Sequence, residues 1–415
     1  MNTSTAVSFN ALRNAAYHQA ISMGLPTPKL EAWRYVDCGP LATLPKDKSA
    51  AINESQDNAR GIVVPVGKSS EPGMVITNGT WDPEASPPLP AGVTIRGIAG
   101  DSVNGDPLVE SWARRIPHLS DISEAWSFAD MRSGLECHID APVSQPLIIL
   151  NLATDPSSAW RGRITVKQGA SVQILLIHLI SPLARSSVGL EVAVEAGGRL
   201  SIDEIEFSSQ SQSLLGQLYV HKDISVHADA ETEWHHAGRG GELVRHCWQV
   251  HLLEPGARAS LASGCQVRGN AQNHHYLKMN HRAPKTESNQ LFKQVISEGG
   301  RASFDGLTKI FPGADDSHAA QLCRSLILDD QGLMGGRPQL EVEADEVTAT
   351  HGAAIARPDG NELWYLRSRG LNQNEAMQLL IEGFLGEIAH SFSLAPARSL
   401  ASQQLALHLV TDNPA

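Results

Sequence analysis

The sequence predicts a mainly β protein. A parallel β-helix core runs from about residue 135 to 355, flanked by small helical units at both ends. Three observations carry this. First, a turn-plus-strand phrase recurs: Gly169-Ala170-Ser171-Val172-Gln173-Ile174, Gly197-Gly198-Arg199-Leu200-Ser201-Ile202, Gly256-Ala257-Arg258-Ala259-Ser260-Leu261 and Gly299-Gly300-Arg301-Ala302-Ser303-Phe304, with a weaker copy at Ala228-Asp229-Ala230-Glu231-Thr232-Glu233-Trp234. Successive copies lie about 28, 32, 27 and 43 residues apart, the spacing of stacked rungs that cannot bury their inner faces alone. Second, residues alternate after each turn, placing one side-chain set inside and the other outside. Third, two-residue Asn-Gly or Asp-Gly hairpin turns are nearly missing from the repeat, Asp305-Gly306 being an exception. A β-sandwich built on ordinary hairpins would need them.

The elements follow in order. Phe9, Leu12, Ala16 and Ala20 recur at helical spacing, and Gly24 and Pro26 end that helix. Glu31 to Val36 continues a small helical unit, and residues 38–72 read as a surface connection. Strands are expected at Gly61 to Val66, Met74 to Thr77 and Val93 to Ile98, with a Pro-rich loop from Asp82 to Pro90 and a second helix from Asp106 to Ala129. Past the solenoid, Leu363-Trp364-Tyr365-Leu366 reads as a last strand. Asn372 then caps a helix with Glu375 three residues on. Met377, Leu380, Ile381, Phe384, Leu385 and Ile388 line one face of it. A shorter helix covers Pro396 to Leu409. The organisation is therefore an N-terminal helical and mixed unit (1–134), a β-helix core (135–362) and a C-terminal helical unit (363–415).

Composition narrows the function. The chain has 415 residues, 41% hydrophobic and 19% charged, with a net charge of −12. That is globular, and it disfavours a surface that tracks nucleic acid. The apolar run Val172 to Ile180 is too short to cross a bilayer, and Met1 to Asn10 has neither the basic nor the apolar region of a secretory signal. Five scattered cysteines form no Cys-x-x-Cys pair, so neither a disulfide framework nor a standard zinc motif is written here. A cytoplasmic protein is expected.

Gly67-Lys68-Ser69 ends like a phosphate loop, but Gly61 is one residue too far away for that motif. The pairs His235-His236 and His274-His275 fall on strands, where neighbours point to opposite faces, so neither pair holds one ion by itself. His246 and His251 also differ in parity. Any metal site among these rings needs residues from different rungs. Asp203 and Glu204 are the candidate carboxylates for a polysaccharide lyase or hydrolase, the enzyme class most at home on a β-helix, yet adjacency puts them too on opposite faces. Near the end of the repeat, Val347, Ala349 and His351 share one strand face, and Gly352 ends or bends that strand. Cys323 faces away from Leu322, Leu326 and Leu328. It reads either as a thiolate favoured by neighbouring Arg324 or as a small buried hydrophobe.

Several motifs in sequence resemble the SufB/SufD family. They are Glu31-Ala32-Trp33-Arg34-Tyr35, Asp305-Gly306-Leu307-Thr308-Lys309-Ile310, Ala320-Gln321 with Arg324 and Leu326, Pro338-Gln339-Leu340-Glu341-Val342, Asp345-Glu346-Val347, His351-Gly352-Ala353, Arg369-Gly370-Leu371, Glu375-Ala376 and Gly383-Phe384. The length and the His-Gly-Ala triplet are similar to the shorter, SufD-type branch. The resemblance implies a right-handed parallel β-helix and a non-catalytic scaffold in iron–sulfur cluster assembly. It implies pairing with a SufB-like paralogue and a SufC-like ABC ATPase, or a homodimer in isolation. It implies no stably bound cofactor, with iron or a nascent cluster passing transiently through the complex. His351 matches the family's functional histidine at the subunit interface. Cys323 falls where SufB-type members carry a cysteine in a Gln-Cys-Asp-Ser context, here Gln321-Leu322-Cys323-Arg324-Ser325. Ala349 stands where some members have a cysteine. The helix bearing Asn372, Glu375, Gln378, Glu382 and Glu387 matches the ATPase-docking region, and ATP-driven closure would transmit force through it.

Overall fold

The computed structural model of the chain describes residues 7–42, 72–99, 105–208 and 215–406. The expected strand Gly61 to Val66, the Gly67-Lys68-Ser69 segment and the end of the last helix at Leu409 lie outside them. Among the described residues, ten strands form one sheet and nine a second. From Met131–Ile139 onward consecutive strands alternate between the two, so each rung contributes one strand to each. In the first sheet Ser171–Ile180, Arg199–Ser208, Glu231–Gly238, Arg258–Arg268, Glu287–Ser297, His318–Ile327 and Thr348–Ala356 pair in parallel, each with the next. The second runs likewise from Met131–Ile139 to Leu333–Val342. The result is a parallel β-solenoid of about eight turns. In-register stacking fills the lumen with columns of aliphatic and aromatic side chains, including Ile174, Ile202, Trp234 and Leu261.

The corners explain which rungs the sequence displays. One corner places a residue in the left-handed region two positions before every first-sheet strand from Ser171 onward. That residue is Gly169 (φ 69), Gly197 (φ 66), Asp229 (φ 53), Gly256 (φ 76), Lys285 (φ 58), Asp316 (φ 57) and Glu346 (φ 53) in turn. Only three are glycine. At the others the stacked strands on either side impose a conformation that an L-residue takes at a cost of about 1–2 kcal/mol. Gly299 (φ 88) belongs to a different corner, before Arg301–Ile310 of the second sheet. The interval of about 43 residues is thus one and a half rungs, and the true repeat stays near 30.

The N-terminal end is closed by two antiparallel pairings, Gly73–Thr77 with Thr80–Asp82 and Val93–Ile98 with Met131–Ile139. A helical cluster packs beside it around Phe9, Leu12, Trp112 and Phe128. The helix Phe9–Met23 starts at Ser8, whose hydroxyl accepts from the Ala11 amide, and stops at Gly24 (φ 65). Two expectations change here. Glu31–Trp33 makes only one 3-10 turn. The helix expected over Asp106 to Ala129 is two, Pro107–Arg115 and Ile122–Ala129. Pro117 interrupts the first, and the Asp121 carboxylate caps the second through the Ser123 amide.

At the other end, Gly352 does not end its strand, which continues to Ala356 because parallel pairing with Leu322 and beyond carries it through. The Leu363-Trp364-Tyr365-Leu366 run is helical, not extended. Asp359 caps a helix Gly360–Ser368 by accepting from the Asn361 amide, and the run lies past the last rung. The helices Gln373–Ser391 and Ala395–Leu405 lie on the outer face of the first sheet, where Ile381, Leu385, Ile388 and Phe392 cover Ile177, Ile205 and Val295. Each such apolar side chain contributes about 1.5–3 kcal/mol on burial. No helix among the described residues is long and apolar enough to cross a membrane.

Candidate functional site

His351 sits on the last strand of the first sheet, directly above Gln321 of the rung beneath. It shares the inward-facing parity of Ala349, but no further rung covers it, and the ring is exposed. Its Nδ1 lies 3.2 Å from the Pro338 carbonyl oxygen, on the last strand of the second sheet. A carbonyl only accepts, so Nδ1 carries the proton and Nε2 keeps its lone pair. A histidine held this way is oriented as a metal ligand. Around it the end of the column is apolar and open, with Leu333 49%, Val342 43% and Ile355 45% exposed.

Cys323 lies one rung below, paired across the ladder with Ala353. Its thiol points into the lumen and is fully buried, while Arg324 points out and is exposed. Burial pushes the thiol up to about 12. Of the two readings of Cys323 the structure supports the packed one: strand alternation puts the cation on the far side of the sheet, and Cys323 packs as a small apolar residue with Ser325 at 4.0 Å.

On the C-terminal helix, Asn372 and Glu375 form a reciprocal capping box. The Asn372 oxygen accepts from the Glu375 amide at 3.0 Å, and Glu375 accepts from the Asn372 amide at 2.7 Å. Gln378 donates to Glu382 at 2.7 Å on the exposed face. Glu387 does something else: it accepts from Lys293 at 2.5 Å and clamps the helix to the solenoid. Outward beside them stand Trp364 (71% exposed), Tyr365 (52%) and Leu379 (48%). The strand assignment hid these two aromatics, although the Asp359-Gly360 cap was there to be read.

Sequence reasoning also missed a chain of buried polar groups along the lumen. Asn151 Nδ2 donates to His178 Nδ1 (3.1 Å), and His178 Nε2 donates to Glu204 Oε1 (3.1 Å). Lys222 Nζ donates to Glu204 Oε2 (2.5 Å) and to His246 Nδ1 (3.0 Å). His246 then carries its proton on Nε2 and donates to Glu206. Trp234 Nε1 adds a bond to Glu204 (2.7 Å), and the Lys222 ammonium lies 3.5 Å from the Trp248 ring centre. Burial would raise Glu204, but Lys222 and His178 outweigh it and hold the carboxyl far below its usual range. Burial and the Lys222 charge push His246 well below its ordinary value.

The two histidine pairs diverge as strand parity requires. His235 bonds Asp203 (3.0 Å) outside the sheet, while His236 enters the lumen. His274 bonds Ser303 (2.8 Å) on the outer side, while His275 enters the lumen. Asp203 and Glu204 likewise part. Asp203 receives the Ser393 and Leu394 amides (3.0 and 2.8 Å) beneath the last helix, and Glu204 pairs with Lys222 inside. As a glycan-cleaving pair they cannot face one groove.

The chain matches the family model described as "SUF system FeS cluster assembly, SufBD core domain" over residues 150–384, more than half its length. It is 23% identical to the iron–sulfur cluster assembly protein SufD of Escherichia coli over 390 residues, covering 90% of this chain and 86% of that protein. It is 35% identical over 161 residues to a SufBD-family iron–sulfur cluster assembly protein of Synechocystis, covering 38% of this chain and 34% of that one. It is 29% identical over 217 residues to a chloroplastic protein, ABCI7, of Arabidopsis thaliana, covering 52% of this chain and 44% of that protein.

Proposed function

Because the chain belongs to the SufB/SufD family of iron–sulfur cluster assembly proteins, we propose that it is a SufD-type scaffold subunit. It pairs with a SufB-like paralogue and a SufC-like ABC ATPase in the cytoplasm, and it lends an imidazole to iron or a nascent cluster at the subunit interface. The cluster is cargo, and the chain turns over no substrate of its own.

One observation carries this reading: His351 has Nδ1 committed to the Pro338 carbonyl and Nε2 turned free at the open end of the solenoid. A neutral imidazole nitrogen suits ferrous iron. Leu333–Val342 and Thr348–Ala356 are the edge strands of their sheets. Edges of this kind pair readily with another strand, so a second solenoid added here would enclose the ring. The same edges would support a homodimer when the paralogue is missing. The exposed Trp364, Tyr365 and Leu379 form the face on which the ATPase would dock. Glu387 and Lys293 tie that helix to the sheet, so force applied to it would reach the rungs.

The test is co-expression with the paralogue and the ATPase, comparing wild type with His351→Ala. The complex assembles in both, and the variant acquires at most about a tenth of the iron and sulfide, since losing even an outer-shell partner of a ligand costs about 10–100-fold. Loss of assembly would make His351 structural, and unchanged cluster content would remove it from the site.

A further inference from the structure

We propose that the middle of the solenoid lumen is a binding site for a thiophilic divalent cation of the zinc class. Its ligands are His236 Nδ1, Cys265 Sγ and His275 Nε2, with the Ser263 hydroxyl at the fourth corner. These three ligand residues come from three different strands, Glu231–Gly238, Arg258–Arg268 and Gln272–His281, and are brought together by rung register. The site is independent of His351, which lies at the end of the column.

The geometry is that of a closed tetrahedral site. Bond lengths of about 2.3 Å to sulfur and about 2.05 Å to nitrogen, at a tetrahedral angle, place S and N about 3.6 Å apart. Cys265 Sγ is 3.6 Å from His275 Nε2 and 3.9 Å from His236 Nδ1. All three ligand atoms lie within 4.8 Å of one another. Ser263 Oγ is 2.9 Å from His236 Nδ1, 3.3 Å from His275 Nε2 and 3.8 Å from Cys265 Sγ, completing the figure.

Two ring nitrogens and a sulfur converge on the Ser263 hydroxyl. His275 Nδ1 and Glu206 Oε2 are buried with no hydrogen-bond partner. His236 Nε2 lies 3.0 Å from Glu206 but off the line of a hydrogen bond. A cation on Nδ1 fixes the remaining His236 proton on Nε2, facing that carboxylate, which is the usual support for a ligating imidazole. The carboxylate has room because residue 238 is glycine: a Cβ there would lie 2.4 Å from Glu206 Oε2. The neighbouring set of Glu206, His236 and His246 is the poorer site. His246 accepts from Lys222 on Nδ1, so its Nε2 holds a proton and offers no lone pair.

Enclosure by the rungs means that the ion enters as the chain folds, coupling binding to folding. The full chain is unfolded with a chelator, then refolded with zinc or with cobalt as a spectroscopic substitute, and bound metal is measured after gel filtration. About one equivalent is retained, and the cobalt form shows a thiolate charge-transfer band. Cys265→Ala and His275→Ala each lower retention by roughly tenfold or more, since losing even an outer-shell partner of a ligand costs about 10–100-fold. Cys323→Ser and His351→Ala retain the full equivalent. Wild type that refolds with less than about a tenth of an equivalent overturns the proposal, as does a Cys265→Ala chain that keeps the metal and the band. If the ligand variants fail to fold, the band in refolded wild type and its persistence in Cys323→Ser decide the matter.

Discussion

Replacing Lys222 by Met tests whether the lumen depends on charge pairing. Lys222 Nζ and Glu204 Oε2 are 2.5 Å apart, and both side chains are wholly buried. The lysine stem runs between two indoles, its ammonium 3.5 Å from the Trp248 centre and 4.9 Å from that of Trp234. Methionine has nearly the same volume, so Lys222→Met opens little space. The cost comes from Glu204, which keeps the His178 and Trp234 donors (3.1 and 2.7 Å) but loses the Lys222 ammonium. Breaking a buried pair from one side costs about 3–5 kcal/mol, whereas replacing both partners by uncharged groups of similar size is close to neutral. Urea denaturation followed by tryptophan fluorescence reads this directly, because Trp234 and Trp248 flank the pair. The single variant is expected to lose about 3–5 kcal/mol, and adding Glu204→Gln is expected to restore at least about half. A Lys222→Met chain within about 1 kcal/mol of wild type, or a double variant no better than the single, would refute the reasoning.

Two further predictions concern parts the proposed interface does not touch. Asp203→Ala removes the acceptor for the Ser393 and Leu394 amides, which begin the last helix where Leu394 offers no side-chain cap. Losing charge-assisted bonds worth about 3 kcal/mol should speed hydrogen exchange at these amides roughly 100-fold while leaving the helix Phe9–Met23 unchanged; equal exchange would show that the helix holds itself. Burial lowers His281 to about 4, between the Thr286 and Ser288 hydroxyls at 2.8 and 2.9 Å. Below about pH 6.5 the unfolded chain takes a proton that the folded chain refuses, so this stability is present above pH 6.5 and is lost as pH falls toward 4. Between pH 7 and 5 wild type should lose about 2 kcal/mol more than His281→Gln, and parallel losses would contradict the shift.

The sequence alone carries the class of fold, because alternation and corner glycines are local properties. Gly169, Gly197 and Gly256 announce their corners, since glycine takes positive φ without strain. It also determined that adjacent histidines part company, because a strand has period two whatever surrounds it. Family-like motifs marked His351, and Asn372 with Glu375 marked the strongest helix start. The remainder depends on contacts between rungs. Lys285, Asp316 and Glu346 occupy the same corner as the glycines, but there the stacked rungs impose the conformation and no residue type betrays it. Alternation put Cys323 and Leu322 on opposite faces, yet which face is the lumen depends on the strands beneath. Leu333–Val342 stays an open edge, and Trp364 and Tyr365 form a helix rather than pair with it. His236 and Cys265 lie 29 residues apart, and His275 another 10 beyond. They meet because register sums over whole rungs, a distance no local pattern measures.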